Sequence, residues 1–322
     1  MKQETALRLK SCVKDVLPTT TKTCIWIIKI TLGVSLAMML LKFFNILPYI
    51  SDFVSPVFRI FGLPGSTALA FVSGYFVNCY SAIAVMSTLD LNWRELSILC
   101  TMVMCAHSMF LETPVLKKTG ASAIRMVIVR TLSAFILGAG LNLVLPGGPA
   151  QAQASLGEAV SVGPTGEVTF LQALLDWAKG ALKLVVMMIC IIYSLNILQR
   201  ILQEFGIMDR IANVFKPLML AFGLPANTVF LWLVANFIGL GYGAAAILDS
   251  MSRNALSPRD VKLLDSHICI SHSNLEDLLL FTACGASWWI MLLSRWVMAI
   301  VLVWEQKLEF FIADHRRATN AL

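Results

Sequence analysis

Long apolar runs, broken by single polar or charged residues, are the main pattern along this chain. Four of them are long enough, at about 20 residues, to cross the hydrocarbon core of a bilayer as a helix. They lie at residues 24–47, 122–145, 181–203 and 286–304. Two more apolar segments, 65–89 and 226–250, contain glycine and polar residues that would interrupt a helix. The pattern predicts an all-α polytopic membrane protein.

The composition excludes several other classes of protein. The chain has 322 residues, of which 58% are apolar and 14% are charged. A soluble domain averages about 25% charged residues, and a soluble chain of this size needs them to cover its surface. We therefore exclude a cytosolic enzyme, a disordered chain and a nucleic-acid-binding protein, and we expect the lipid bilayer as the main partner.

Features of the first half of the sequence return in the second half, in the same order. Phe-Gly-Leu-Pro at 61–64 recurs at 222–225, and Gly-Ala-Ser at 120–122 recurs at 285–287. Four pairs of polar residues recur in the same way: His107/His272, Ser108/Ser273, Glu112/Asp277 and Arg130/Arg295. An ordered series of this kind indicates an internal duplication.

Each half has five segments: an apolar helix, an amphipathic stretch suited to the membrane interface, a broken apolar segment, a segment with the His-Ser motif, and a last apolar helix. In the first half they are 24–47, 49–61, 65–89, 94–117 and 122–145. In the second half they are 181–203, 208–221, 226–250, 259–284 and 286–304. The predicted domains are a cytoplasmic N-terminal segment 1–22, a first repeat 23–146, an external linker 147–172, a second repeat 173–305 and a cytoplasmic tail 306–322.

The distribution of charge predicts how the chain lies in the membrane. Residues 1–22 are rich in Lys and Arg, whereas 146–172 contain neither, and short basic segments stay in the cytoplasm. With both termini in the cytoplasm and 146–172 outside, each half must cross an odd number of times. We predict three crossings and one re-entrant hairpin per half, with 65–89 and 226–250 as the hairpins. Re-entrant His-Ser segments also fit this count, but they leave the basic residues of 253–262 outside.

An odd number of crossings places the two halves in opposite orientations, which is an inverted repeat of the kind found in many secondary transporters. Non-helical backbone at membrane depth is tolerated only where it is buried in protein or lines a cavity. We therefore expect the hairpins and the His-Ser segments to converge near the midplane, and we place the functional site there.

Arg130 and Arg295 lie in the middle of the last apolar helix of each half. A charged side chain within the membrane is costly and is kept mainly when it is paired or functional. Each arginine could bind an anionic group of a substrate or form a structural ion pair. The candidate partners for an ion pair are Glu112 and either Asp277 or Glu276.

His107 and His272 also occupy equivalent positions, and each is followed by a serine. His272 and Glu276 are four residues apart, which would place them on one helical face and let the carboxylate orient the imidazole. The pair could relay a proton or contact a substrate, and histidine with carboxylate also suits a divalent metal. Pro114 lacks a backbone donor and is expected to break the helix that carries Glu112.

Asn78 and Asn236, on the predicted hairpins, could hydrogen-bond a polar ligand or cap the hairpin turn. The predicted substrate-binding set is His107, Ser108, Glu112, Arg130, His272, Ser273, Asn274, Glu276, Asp277, Arg295, Asn78 and Asn236. The sequence has no P-loop, no GxGxxG after a strand, no GxSxG elbow and no HExxH motif. We therefore expect neither an enzyme nor a bound cofactor.

Residues 74–83, GYFVNCYSAI, resemble the Gly-Phe-Gly-Cys-Asn-x-Pro-Ala-Ile motif of the ferrous iron permease B membrane domain, without the Cys before Asn78 and the Pro after it. With the preceding Gly-Leu-Pro, the pattern resembles the nucleoside-recognition or Gate domain over roughly residues 41–145 and 202–304. That family also includes the spore maturation proteins A and B and a related core of concentrative nucleoside transporters. The resemblance implies a protein of the bacterial cytoplasmic (inner) membrane.

Three functions stay open. The leading hypothesis is a transporter or permease for a small polar solute, which the resemblance implies to be nucleoside-like. The second is a non-transporting scaffold or partner subunit, as the resemblance to the spore maturation proteins implies, and the third and weaker is a divalent metal permease. A homodimer, or a complex with a membrane partner subunit, is compatible with each of them.

Overall fold

The structure, a computed structural model, describes residues 2–147 and 169–320, and every regular element in these ranges is helical. Most of the predicted linker 147–172 lies outside the described residues. The all-α prediction is therefore confirmed for the part of the chain that is described.

The first half contains seven α-helices. They are α1 (Lys2–Phe43), α2 (Leu47–Phe58), α3 (Thr67–Phe76), α4 (Cys79–Met86), α5 (Trp93–Ala106), α6 (Met109–Lys118) and α7 (Ala123–Val144). A single 3₁₀ turn, Arg59–Phe61, follows α2.

The second half repeats this order. Its helices are α8 (Phe170–Glu204), α9 (Ile207–Ala221), α10 (Val229–Leu233), α11 (Leu240–Ser252), α12 (Pro258–Ser271), α13 (Glu276–Ala283) and α14 (Trp288–Asn320). A 3₁₀ turn, Ala226–Thr228, precedes α10, and a π-helical turn, Val234–Ile238, joins α10 to the break before α11.

The backbone supports the duplication independently of residue identity. Left-handed φ angles recur at corresponding junctions, in the pairs Asn45/Gly206, Gly62/Gly223, Ser108/Ser273 and Gly120/Gly285. Helices α5 and α12 both begin with a capping box, formed by Asn92 with Glu95 and by Ser257 with Asp260. The same local signals therefore start and end the corresponding helices of both halves.

The predicted helix 24–47 has different bounds in the structure. It is part of α1, which begins at Lys2, runs through Pro18 and ends at Phe43. It ends early because Asn45 adopts a left-handed conformation, which short polar side chains tolerate, and α2 begins at Leu47. The helix α1 thus crosses the predicted boundary at residue 22, as α14 crosses the one at residue 305.

Pro114 does not break its helix, so that prediction is wrong. Helix α6 continues through Pro114, and the break lies earlier, at His107 and Ser108. Ser108 has φ 50°, which turns the chain so that α6 is bent by 42° from α5. The left-handed serine, not the missing proline donor, sets the position of the break.

The last helix of each half presents an apolar face outward and polar residues inward. On α7, Ile124 and Leu143 are 74% and 77% exposed, while Arg130 is fully buried. On α14, Val297 and Trp304 are exposed, while Arg295 is fully buried. An apolar exterior around polar buried groups is the arrangement expected when lipid is the solvent.

Among the described residues, four helices are long and apolar enough to cross a membrane: Thr5–Leu41, Ala123–Val144, Phe170–Leu202 and Trp288–Thr319. The bent pair α5–α6 would add a fifth span. The corresponding pair α12–α13 is less apolar, since α12 alone contains Arg259, Asp260, Lys262 and Asp265. The four long helices are consistent with a polytopic membrane protein.

The centre of the protein is built from α5, α7, α12 and α14. Within each half the helix that ends at the His-Ser turn packs on the last long helix, α5 on α7 and α12 on α14. Across the halves, α5 and α7 both contact α12 and α14. The breaks that follow α5 and α12 are therefore brought together at the interface of the two halves.

Gly62 should not tolerate a side chain. Its φ is 65°, and a Cβ there would lie 2.1 Å from Oδ1 of Asn142, the atom that accepts a hydrogen bond from Arg94. We expect Gly62→Ala to destabilise the protein by more than the ~1–2 kcal/mol of the left-handed conformation alone. Thermal unfolding in detergent measures this change.

Gly140→Ala is the matched control, because Gly140 lies within α7 and a Cβ there meets nothing within 4 Å. It should be neutral or slightly stabilising. Equal unfolding temperatures for Gly62→Ala and Gly140→Ala would contradict the tight packing at Gly62.

Candidate functional site

Each His-Ser turn is tied to the broken segment of its own half by backbone hydrogen bonds. In the first half, the Ser108 N–H donates to the Gly74 carbonyl at 2.9 Å. In the second half, the Ser273 N–H donates to the Ala235 carbonyl at 3.2 Å. The two interruptions of each half are therefore one connected unit, and a movement of one must involve the other.

The two arginines cap the helices that end at these turns. Arg130 donates from Nε to the Cys105 carbonyl at 3.0 Å and from an Nη to the His107 carbonyl at 2.8 Å. Arg295 does the same to the Ile270 and His272 carbonyls, at 2.6 and 2.7 Å. The last carbonyls of a helix have no partner within it, and a cation there also complements the helix dipole.

Glu112 lies at the centre of a buried cluster formed by both halves. Its Oε1 is 3.0 Å from Nε2 of His107, and its Oε2 is 3.1 Å from Nε2 of His272. Oε2 is also 2.6 Å from a guanidinium nitrogen of Arg130. Asp277 joins from the second half, with Oδ2 3.3 Å from Nε2 of His107.

The two imidazoles are neighbours, with ring centroids 5.1 Å apart. His272 is fully buried, and His107 is 4% exposed. Two groups of side chains have donor atoms within 4.8 Å of one another and could hold a metal ion: His107, Glu112 and His272, and Cys79, His107 and Asp277. Since His107 belongs to both groups, these donors surround one small volume.

A series of side-chain hydrogen bonds extends from Arg295 away from the central cluster. An Nη of Arg295 donates to Oδ1 of Asn274 at 3.1 Å, and Nδ2 of Asn274 donates to Oδ1 of Asn236 at 2.7 Å. Asn236 in turn donates to the Trp232 carbonyl. This series of hydrogen bonds connects the π-helical turn of the second half to the residues after His272.

Two expectations about the acidic partners are wrong. Glu276 does not orient His272. Helix α12 ends at Ser271 and the chain turns at Ser273, so the two residues do not lie on one helical face. Glu276 instead accepts a hydrogen bond from Tyr80 of the other half at 2.7 Å. The expected ion pair of Arg130 with Glu112 is present, whereas Arg295 has no carboxylate partner within the described ranges.

The remaining predicted residues have local roles. Asn78 caps α4, with its Oδ1 accepting from the Ser81 N–H at 2.8 Å. Ser108 donates from Oγ to the Val77 carbonyl, and both Ser108 and Ser273 supply the left-handed turns. Of the twelve predicted residues, the structure thus places His107, Glu112, Arg130, His272 and Asp277 in the central cluster.

Some residues near the cluster were not in the predicted set. Cys79 belongs to the second donor group, and Tyr80 links the halves through Glu276. Thr119 forms another link between the halves, donating to Oδ2 of Asp265 at 2.7 Å. These contacts join residues of different halves at positions that are not equivalent. A comparison of equivalent positions in the two halves therefore does not reveal them.

The comparisons with known proteins agree with a membrane protein. The chain is 30% identical over 275 residues to the uncharacterized membrane protein YvoD of Bacillus subtilis (strain 168), covering 85% of this chain and 87% of that protein. It belongs to the YvoD family. No protein-family model and no solved structure matches the chain.

The contributions of Arg130 and Glu112 to the stability of the protein should be strongly coupled, because the two side chains form a buried ion pair. Arg130→Met removes the permanent cation that is paired with the buried Glu112 carboxylate, and breaking a buried ion pair in this way typically costs about 3–5 kcal/mol. Glu112→Gln should therefore cost much less stability in the Arg130→Met background than in the wild type. A double-mutant cycle from thermal or denaturant unfolding in detergent measures this coupling.

Arg295→Met is the matched control background, because Arg295 caps a helix in the same way but forms no ion pair with Glu112. The cost of Glu112→Gln should be much less affected there. Equal coupling in the two backgrounds would show that Arg130 and Glu112 do not form a specific pair.

Proposed function

We propose that this protein is a membrane transporter for a small polar solute and that the central cluster is its binding site. One observation carries the proposal: two duplicated helix breaks bring His107, Glu112, His272 and Asp277 into one buried group. Ionisable residues within a membrane protein's interior are costly, and they commonly mark substrate or ion pathways.

The breaks themselves support a binding role. Broken helices near the membrane midplane expose helix ends and free side chains, and transporters of several folds build their sites from them. Here each His-Ser turn places its histidine, and the acidic side chain that follows it, in the same volume between the halves. In this structure those side chains contact one another directly, so a solute would replace some of these contacts.

We further infer that the halves are inverted and that both termini lie in the cytoplasm, with each half crossing three times. The absence of Lys and Arg from 146–172 supports this orientation. The proposal also includes the Gate-domain resemblance, which favours a nucleoside-like solute and the bacterial cytoplasmic membrane. The proposal assigns the protein the role of a carrier, with no chemical step.

Access to the site requires the connected units to move. The backbone hydrogen bonds from Ser108 to Gly74 and from Ser273 to Ala235 couple each His-Ser turn to the break after α3 or before α11. A shift of α3–α4 or α10–α11 would therefore displace a histidine from Glu112. Tyr80 and Glu276, which bridge the halves, would have to separate in the same movement.

Reconstituted transport tests the proposal. Liposomes containing the purified protein should accumulate at least one solute from a panel of labelled nucleosides, bases, organic anions and divalent ions. His272→Ala should abolish the accumulation, because His272 faces Glu112 at the centre of the cluster. Size-exclusion chromatography and the unfolding temperature report whether each variant is folded.

His315→Ala is the control, because His315 is exposed on α14 and contacts Phe311, outside the cluster. It should transport at the wild-type rate. Failure of the wild type to move any solute in the panel, or equal transport by His272→Ala, would contradict the proposal. The first result, together with co-purification of a stable membrane partner, would favour a scaffold.

A further inference from the structure

The tautomers of the two central histidines follow from their partners. Nδ1 of His107 lies 3.1 Å from the Met104 carbonyl, and Nδ1 of His272 lies 2.7 Å from the Ile268 carbonyl. A carbonyl oxygen only accepts hydrogen bonds, so Nδ1 must carry the proton in both rings. In each neutral imidazole, Nε2 is then an unprotonated nitrogen with a lone pair.

These two lone pairs face carboxylate oxygens. Nε2 of His107 is within 3.3 Å of both Glu112 and Asp277, and Nε2 of His272 is 3.1 Å from Glu112. Lone pairs facing lone pairs repel, so a neutral imidazole beside these carboxylates needs a cation between them, either a proton on Nε2 or a metal ion. Nε2 of His272, Oε2 of Glu112 and Oδ2 of Asp277 are buried atoms that make no hydrogen bond of good geometry among the described residues.

We propose that His107, Glu112 and His272 bind a divalent first-row transition metal ion through the two Nε2 atoms and the carboxylate. Imidazole with carboxylate is a donor set suited to such ions, as in sites with two histidines and one glutamate. The inference rests on the proposed function, and it assigns a metal ion to the central cluster in place of the nucleoside-like solute that the Gate-domain resemblance implies. Binding is measured without transport, so each can fail separately.

The distances between donors are compatible with one shared ion. Bonds of 2.0–2.2 Å to nitrogen and oxygen place neighbouring ligand atoms about 3.0–3.5 Å apart. The contacts of Glu112 with His107 and His272, at 3.0 and 3.1 Å, lie in this range. Protons would satisfy both contacts only if both rings were imidazolium cations, whose like charges repel at a centroid separation of 5.1 Å. One metal ion satisfies the lone pairs of both rings without this repulsion.

The groups around the donors also match a metal site. Metal-bound histidines usually donate their other ring N–H to a carbonyl or carboxylate, and metal-bound carboxylates are themselves hydrogen-bonded. Here Met104 and Ile268 supply the carbonyls, and Arg130 contacts Glu112. Asp277, beside His107, adds a second negative charge that favours a divalent cation.

Cobalt binding to the full-length protein tests the proposal. After treatment with a chelator, the purified protein in detergent should bind about one Co²⁺ per chain, followed by visible absorption and calorimetry. Zn²⁺ should displace it, whereas Mg²⁺, which prefers all-oxygen sites, should not. His272→Gln should weaken binding by about 100-fold or more, beyond the 10–100-fold typical of losing an outer partner.

His267→Gln is the matched control. His267 is also fully buried, but its Nδ1 contacts Trp232 and Ser271 and it belongs to neither donor group. This variant should bind Co²⁺ as the wild type does. Absence of binding in the wild type, displacement by Mg²⁺, or unchanged affinity of His272→Gln would overturn the proposal.

A measurement on the wild type covers the case in which His272→Gln does not fold. X-ray absorption of the Co²⁺-loaded protein should show two imidazole nitrogens among the ligands. A spectrum without imidazole, or with a thiolate from Cys79, would overturn this ligand set.

Discussion

A single buried carboxylate, that of Glu112, is the constraint on which the centre of this protein depends. It lies within 3.1 Å of two histidines and is paired with Arg130. A buried charge is tolerated only when other groups compensate it. These groups come from both halves, so the interface between the halves can form only with the two His-Ser turns in register.

The duplication accounts for the matching helices and turns of the two halves, and the differences between the halves account for the arrangement of the central cluster. Both arginines cap helix ends in the same way, and both serines supply a left-handed turn. The acids, in contrast, are used differently: Glu112 contacts both histidines, while Asp277 contacts His107 alone. The two halves thereby form one asymmetric cluster.

Sequence patterns predicted the apolar helices because long hydrophobic runs are local signals. They did not predict the left-handed turns at Asn45 and Ser108, which set where α1 ends and where α6 bends away from α5. Recurrence also identified His107, His272, Glu112 and the two arginines as the polar residues of the interior. It did not predict the partners, since Tyr80 with Glu276 and Thr119 with Asp265 are contacts between the halves. Nor did it predict that Arg295 binds backbone carbonyls, which no side-chain pattern records.

Both histidines direct Nε2 at Glu112, while a backbone carbonyl accepts a hydrogen bond from Nδ1 of each ring. Nitrogen-15 NMR of protein labelled at histidine, with signals assigned from His107→Gln and His272→Gln, measures which ring nitrogen carries the proton. We expect a protonated Nδ1 in both residues, whether Nε2 holds a lone pair, a proton or a metal ion. An unprotonated Nδ1 in either histidine would contradict it.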